Sequence, residues 1–132
     1  MESIYETIEE NNILLEELDI DNNAYFMEIG NTPAIMLSNN LRGAEKNLAV
    51  AEEVAHYCVG VSPTQPFNND YSNRLIRSRN ECRAFKWMQG NLLPAGIENL
   101  EYKSILDIAE EFNVTPEFVQ KTIQYRKENK NG

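Results

Sequence analysis

The pattern of apolar and polar positions along the chain predicts an α+β fold, in which helices precede and follow a small β-hairpin in the sequence. Residues 2–18 place apolar side chains on one side of a helix and glutamates on the others, and an asparagine pair in the middle allows two short helices instead of one. Two short apolar runs, 24–29 and 34–38, predict strands joined by the turn residues 30–33. A hairpin of this size is marginal alone, so it must pack on a helix.

Two longer helices follow the hairpin. The central helix, about residues 44–59, carries a stripe of small and apolar side chains suited to close packing on the sheet, and Gly60 is well placed to end it. Two prolines and several asparagines make residues 61–71 a loop. An arginine-rich helix is predicted for about 72–92, where Pro94 stops it.

The last part of the chain predicts a helical pair, about residues 104–112 and 116–129. Thr115 caps the second helix and Pro116 is its first residue, which is a favoured arrangement. Two helices joined by a short turn resemble a helix-turn-helix, but this segment is net acidic and lacks a basic stripe, so we expect no direct nucleic-acid binding. We expect residues 1–95 to form the core and residues 96–132 to pack on it.

Composition and charge narrow the class of protein. The chain has 132 residues, is 42% hydrophobic and carries a formal charge of −9, which fits one globular domain. No apolar run approaches the roughly 20 residues of a membrane span, and the acidic N-terminus lacks signal-peptide features, so we expect a cytoplasmic protein. Cys58 and Cys82 are isolated, and we expect no disulfide. The acidic N-terminal segment could attract a basic partner, although a solvated helix face is the more frequent role of such a charge run and the interpretation we favour.

The central helix ends in Glu52-Glu53-x-x-His56, one residue away from the H-E-x-x-H signature of zinc metallopeptidases. Positions i and i+4 share a helix face, so Glu52 and His56 can direct two ligand atoms at one metal, and Glu53 stands where that motif places its general base. The third ligand must come from a facing helix, where Glu81 is the best candidate and the small Ala84 permits close approach. The alternative is a partly buried His56 that is hydrogen-bonded to a carboxylate, with no metal.

Further expectations concern the chemistry around this site. A glutamate in the first ligand position leaves a divalent metal nearly neutral, which weakens its Lewis acidity and shifts the preference from zinc toward manganese or iron. Tyr57 and Tyr71 could donate hydrogen bonds to a tetrahedral intermediate. Packing at the edge of the core is the more frequent role of such tyrosines.

Three motifs, in order, resemble the ImmA/IrrE family of metallopeptidases. The run 48–57, L-A-V-A-E-E-V-A-H-Y, looks like the active-site helix of phage and mobile-element members that carry E-E-x-x-H. Glu81-x-x-Ala84-x-x-Trp87 is similar to the second family motif, and residues 108–119 are similar to its C-terminal segment. Met88 departs from the alanine that the family often has at that position.

The resemblance implies a zincin-like core in which a small antiparallel sheet packs on the active-site helix and a second long helix. By position it makes Glu52, His56 and Glu81 the ligands of zinc or another divalent metal and Glu53 the general base. It implies cleavage of a prophage or mobile-element regulator, such as a helix-turn-helix repressor. The alternative is a metal-free binding module on the same scaffold that acts as an anti-repressor or a toxin–antitoxin partner.

Overall fold

The computed structural model describes residues 4–21, 24–60, 71–99 and 104–129, with only the backbone course given for 71–78. In these ranges the chain is α+β, as predicted, and combines helices with one small sheet. The elements in order are α1 (Ile4–Glu10), β1 (Leu14–Leu18), β2 (Ala24–Ile29), β3 (Thr32–Ser38), α2 (Gly43–Cys58), α3 (Tyr71–Leu92), a 3₁₀ helix (Ile97–Asn99), α4 (Ile105–Phe112) and α5 (Pro116–Glu128). The predicted loop before α3 lies outside the described residues.

The sheet has three strands in the order β1-β3-β2. Strands β2 and β3 form the predicted antiparallel hairpin, and its turn includes Gly30 at φ 65°, a left-handed conformation that glycine adopts without strain. Strand β1 pairs with β3 in parallel, with Leu14 opposite Ala34 and Leu18 opposite Ser38. The sheet is therefore mixed, because a third strand joins the predicted hairpin.

The prediction of helix over residues 2–18 is wrong in its second half. Helix α1 ends at Glu10, and Asn12 adopts φ 54°, a left-handed conformation that asparagine tolerates better than most residues. The following Leu-Leu-Glu-Glu-Leu run then becomes β1. Its backbone supplies hydrogen-bonding partners to the open side of β3, and this long-range pairing outweighs the helical preference of leucine and glutamate.

Helix α2 covers one face of the sheet. Four small or branched side chains on its inner side are buried, and they join Ile35 and Leu37 of β3 in a single core cluster. These helix residues are Val50, Ala51, Val54 and Ala55. An ion pair from Lys46 to Glu17 also links α2 to β1. The central helix is thereby held rigidly on the sheet, with its other side turned away from it.

The C-terminal helices contact α3 and the helix before it, α2. Ser104 and Thr115 cap α4 and α5 through hydrogen bonds from backbone N–H groups to their side-chain oxygens. The Arg126 guanidinium of α5 reaches the end of α3 and donates to the carbonyl oxygens of Gln89 and Leu93 at 2.8 and 2.9 Å. The division of the chain at residue 95 stays a prediction. Among the described helices, none is long and apolar enough to cross a membrane.

Candidate functional site

Helices α2, α3 and α5 enclose a pocket of about 450 Å³ on the side of α2 that faces away from the sheet. Each helix contributes residues spaced three or four apart, which is the spacing of a single helix face. The lining residues are Glu45, Leu48, Ala49, Glu52 and His56 of α2, Glu81, Ala84, Phe85 and Met88 of α3, and Thr115, Glu117, Phe118 and Lys121 at and after the start of α5.

The two walls that carry the predicted ligands are fixed against each other. On α2, Glu52 and His56 lie one turn apart on the pocket side. On α3, Glu81 lies on the same pocket, and Ala84 beside it is buried, so its small side chain lets the two helices approach closely. Arg83 donates a hydrogen bond to the backbone oxygen of Val59 at the C-terminal end of α2. The structure therefore brings the three predicted ligands to one pocket.

The third wall comes from the C-terminal helical pair. Phe118 packs edge-on against Phe85, with 5.7 Å between the ring centroids. The ammonium of Lys121 lies over the same Phe85 ring, 4.5 Å from its centroid, in a cation–π contact. Asn47 donates a hydrogen bond of 2.8 Å to the backbone oxygen of Asn113, which ties α2 to the turn before α5. The pocket thus combines an acidic wall with an aromatic wall that carries one cation.

The surroundings of Glu52 in the pocket disfavour its charged form. Loss of solvation raises the pKa of its carboxyl group above the ordinary value, and the nearby carboxylates of Glu53 and Glu81 raise it further. The charges of His56 and Lys121 act in the opposite direction. Because like charges crowd here, a cation placed beside Glu52 would be stabilised.

His56 is paired with Glu53. Its Nδ1 atom lies 3.3 Å from Oε2 of Glu53, and both side chains are mostly buried. This hydrogen bond is the main cause that raises the pKa of His56; burial lowers it, and the carboxylates of Glu53, Glu52 and Glu81 raise it. The Glu53 carboxylate therefore favours the protonated imidazole over the neutral form more than water does. This is the contact expected of the metal-free alternative.

The donor set matches a divalent cation in the type of its ligand atoms. Two carboxylates and one imidazole, from two helices, face one pocket, and oxygen and nitrogen ligands suit zinc and manganese. In the described ranges, however, no group of three or more His, Cys, Asp or Glu side chains lies close enough together to hold a metal ion. The side chains would have to draw together around a cation.

Of the other predicted site residues in the described part of the chain, Glu53 and Tyr57 do not line the pocket. The Tyr57 ring packs edge-on against Phe26 of β2, with 6.0 Å between centroids, and is absent from the pocket lining. Tyr71 begins α3, but its side chain lies outside the described residues. Cys58 and Cys82 are exposed and form no disulfide, as predicted.

Sequence reasoning missed the contribution of α5. Lys121 and Phe118 line the pocket together with Glu117, yet no local motif marks them. The one available indication was the amphipathic spacing of Phe118 and Lys121 on the predicted last helix, which fits one face of a helix that packs on the core.

Comparison with known proteins agrees with this arrangement of helices. The sequence model of the peptidase M78 family, described as the IrrE N-terminal-like domain, matches residues 7–124. That range includes the sheet, all three pocket walls and the E-E-x-x-H run. Neither a curated protein nor a solved structure matches the chain significantly. Because the match covers most of the sequence, the chain belongs to the peptidase M78 family of IrrE N-terminal-like domains.

Proposed function

We propose that this protein is a metal-dependent peptidase that cleaves a protein regulator, with a prophage or mobile-element helix-turn-helix repressor as the expected substrate class. The observation that carries the proposal is the meeting of Glu52, His56 and Glu81 in one pocket of a peptidase-family scaffold. The identity of the substrate follows from the resemblance of the motifs described above.

Glu52, His56 and Glu81 would hold the metal, with zinc or manganese as the expected ion. When bound, the cation would supply the Lewis acidity that peptide hydrolysis requires. Metal binding needs a deprotonated nitrogen on His56; a proton kept on Nδ1 would preserve the contact with Glu53 and leave Nε2 for the metal. Glu53, which does not line the pocket, would have to turn its carboxylate toward the pocket to accept a proton as the general base.

The rest of the pocket suits a peptide chain. Leu48, Phe85, Met88 and Phe118 form an apolar wall that can accept a side chain and exclude water. The acidic residues and Lys121 offer charged partners for backbone amide and carbonyl groups. These residues would position the substrate, while Glu52, Glu53, His56 and Glu81 perform the chemistry.

Metal content is the first test. Protein incubated with zinc or manganese and then desalted should retain close to one metal per chain by elemental mass spectrometry. Replacement of Glu52, His56 or Glu81 by alanine should remove it. Glu117→Ala is the matched control, because Glu117 is a pocket carboxylate outside the proposed ligand set. Loss of metal only in the ligand variants supports the site, whereas equal retention in all variants contradicts it.

Activity is tested separately with a helix-turn-helix repressor as substrate. Glu53→Gln keeps the size of the side chain and removes its basicity, so cleavage should fall by at least about 100-fold, the usual contribution of a general base. Metal content should persist in this variant. Cleavage at the wild-type rate by Glu53→Gln would assign the proton transfer to another group.

A second candidate is a metal-free protein-binding module that acts as an anti-repressor or a toxin–antitoxin partner. Two observations favour it: the pairing of His56 with Glu53, and the lack of a close three-donor group in the described part of the chain. Repressor binding that survives both a chelator and Glu53→Gln, without any cleavage, would favour this function.

A further inference from the structure

The sheet exposes a second apolar surface on the face opposite α2. Cross-strand partners share one face of a sheet, and the register places Leu14, Ala34 and Met27 in one row and Glu16, Met36 and Tyr25 in the next. The inner face instead carries Ile35, Leu37 and their partners, which are buried under α2. Five large apolar side chains of the outer face are 38% to 49% exposed, namely Leu14, Leu18, Tyr25, Met27 and Ile29.

The middle of this outer face is the central strand β3. Its outward residues Ala34 and Ser38 are small and fully buried, and Met36 between them is partly buried. The rims of the face are the larger side chains of β1 and β2 on either side. Since neighbouring strands are about 4.8 Å apart, the rims lie about 10 Å apart, close to the diameter of an α-helix. We call this surface, formed by Leu14, Leu18, Tyr25, Met27, Ile29 and Met36, the outer groove.

The segment that forms the sheet, residues 14–38, carries charge of one sign, and the first cation after it is Arg42, which donates to the backbone oxygen of Asn39. The first 41 residues contain no Lys or Arg, and the sheet region carries Glu16, Glu17, Asp19, Asp21 and Glu28. Glu16 is exposed and points to the groove side of β1. Of these carboxylates, Glu17 is paired with Lys46, on the side of α2.

One end of the outer groove is built for a cation. The Tyr25 hydroxyl donates hydrogen bonds to Asp21 at 2.9 and 3.0 Å, so an exposed aromatic ring and a carboxylate are held side by side. A guanidinium or ammonium group binds such a pair through the ring face and the carboxylate together. A second copy of this chain would instead place like charges opposite each other in a two-fold interface.

We infer that the outer groove is a docking surface for a basic amphipathic helix of another protein. The apolar stripe of that helix would cover the middle strand and the rims, and its flanking Lys or Arg side chains would meet Glu16 and the Tyr25–Asp21 pair. The surface lies on the far side of the sheet from the pocket, so this inference does not depend on the proposed peptidase function.

Methionine methyl groups report on this surface and on the pocket in one experiment. Met27 and Met36 belong to the outer groove, whereas Met88 lines the pocket. A synthetic amphipathic helix of leucine and lysine is titrated into full-length protein carrying labelled methionine methyls, and NMR spectra are recorded. The methyl resonances of Met27 and Met36 should shift as peptide is added, until binding is saturated. The resonance of Met88 should not shift. A shift of Met88 alone, or no shift, would overturn the inference.

Matched variants and a matched peptide give the controls. Leu14→Ser combined with Ile29→Ser should weaken binding by about tenfold or more. Leu106→Ser, a change at an apolar side chain on α4 that is 68% exposed, should leave it unchanged. The same peptide with glutamate for lysine should bind at least about tenfold more weakly. Equal binding by the wild type and all variants would refute the docking of a basic helix, and so would equal binding of the lysine and glutamate peptides. Self-association of the chain that the double change abolishes would also refute it, because the surface would then bind a second copy.

Discussion

Replacement of Arg126 by alanine should destabilise the whole fold, because this side chain joins the C-terminal helix to the end of α3. Its guanidinium donates to Gln89 Oε1 at 2.7 Å and to the backbone oxygens of Gln89, Leu93 and Pro94 at 2.6 to 2.9 Å. It also lies 3.5 Å from Glu98, and its side chain is only 13% exposed. Carbonyl groups at the end of a helix lack donors within it; Arg126 supplies a donor to Leu93 and Pro94 just after α3, and adds a second one to Gln89 O, which also accepts the Leu93 N–H.

The expected loss in the free energy of unfolding follows from the groups that Arg126→Ala would leave without the guanidinium donor. Three backbone carbonyls and the Glu98 carboxylate would lose a charged donor at a partly buried site. Removal of one member of a buried charged contact costs about 3–5 kcal/mol, and water that enters the vacated space recovers part of this. We expect a loss of about 3 kcal/mol, a large share of the roughly 5–15 kcal/mol that stabilises a domain. For a chain of this length the midpoint of thermal unfolding should fall by about 10 °C.

Urea unfolding followed by circular dichroism measures this loss. Lys127→Ala is the matched control. The Lys127 side chain is exposed, so its truncation should change the free energy of unfolding by less than about 0.5 kcal/mol. Arg126→Lys keeps the charge but not the planar fork of donors, and should lose about half as much as alanine. If Arg126→Ala is as stable as Lys127→Ala, the contacts at the end of α3 do not stabilise the protein and the reasoning fails.

Three further predictions concern single groups. The Thr122 hydroxyl is fully buried without a hydrogen-bond partner among the described residues, so Thr122→Val should raise the free energy of unfolding by about 1 kcal/mol in urea titration. Asn113 closes α4 at φ 55°, so Asn113→Ala should cost about 1 kcal/mol while Asn113→Gly costs less, which thermal unfolding would show. The folded state raises the pKa of both Glu52 and His56, so it binds more protons than the unfolded state. The free energy of unfolding should therefore decrease as the pH rises above 4.5, because of Glu52, and decrease again as it rises above 6.5, because of His56. Urea unfolding of His56→Gln at several pH values should lack the decrease above 6.5.

Local patterns were sufficient for the helices and insufficient for β1. The bounds of α2, α4 and α5 agree with the sequence predictions to within a few residues, because their caps and apolar stripes act over one or two turns. The Leu14–Leu18 run has helical composition, and only its partner β3, twenty residues later, makes it a strand. Pairing at that distance leaves no mark on the run itself.

In the candidate site, too, local patterns predict some positions and miss others. Helix periodicity alone places Glu52 and His56 on one face of α2, and the resemblance of motifs adds Glu81 on α3. The same periodicity could not tell that Tyr57 contacts Phe26 under the sheet, nor that Lys121 lies over Phe85. These contacts depend on the angles at which separate helices and strands meet, which no short segment encodes.

Both outer strands of the described sheet, β1 and β2, leave one side of their backbone without a strand neighbour. Such edges invite pairing with further strands, and an apolar face beside them increases the risk of aggregation. Glu16 and Glu17 on β1 and Glu28 on β2 place negative charges along these edges. Their repulsion would act as a barrier to edge-to-edge growth between molecules, which added salt would lower by screening. The acidic character of the N-terminal part thus also favours colloidal stability.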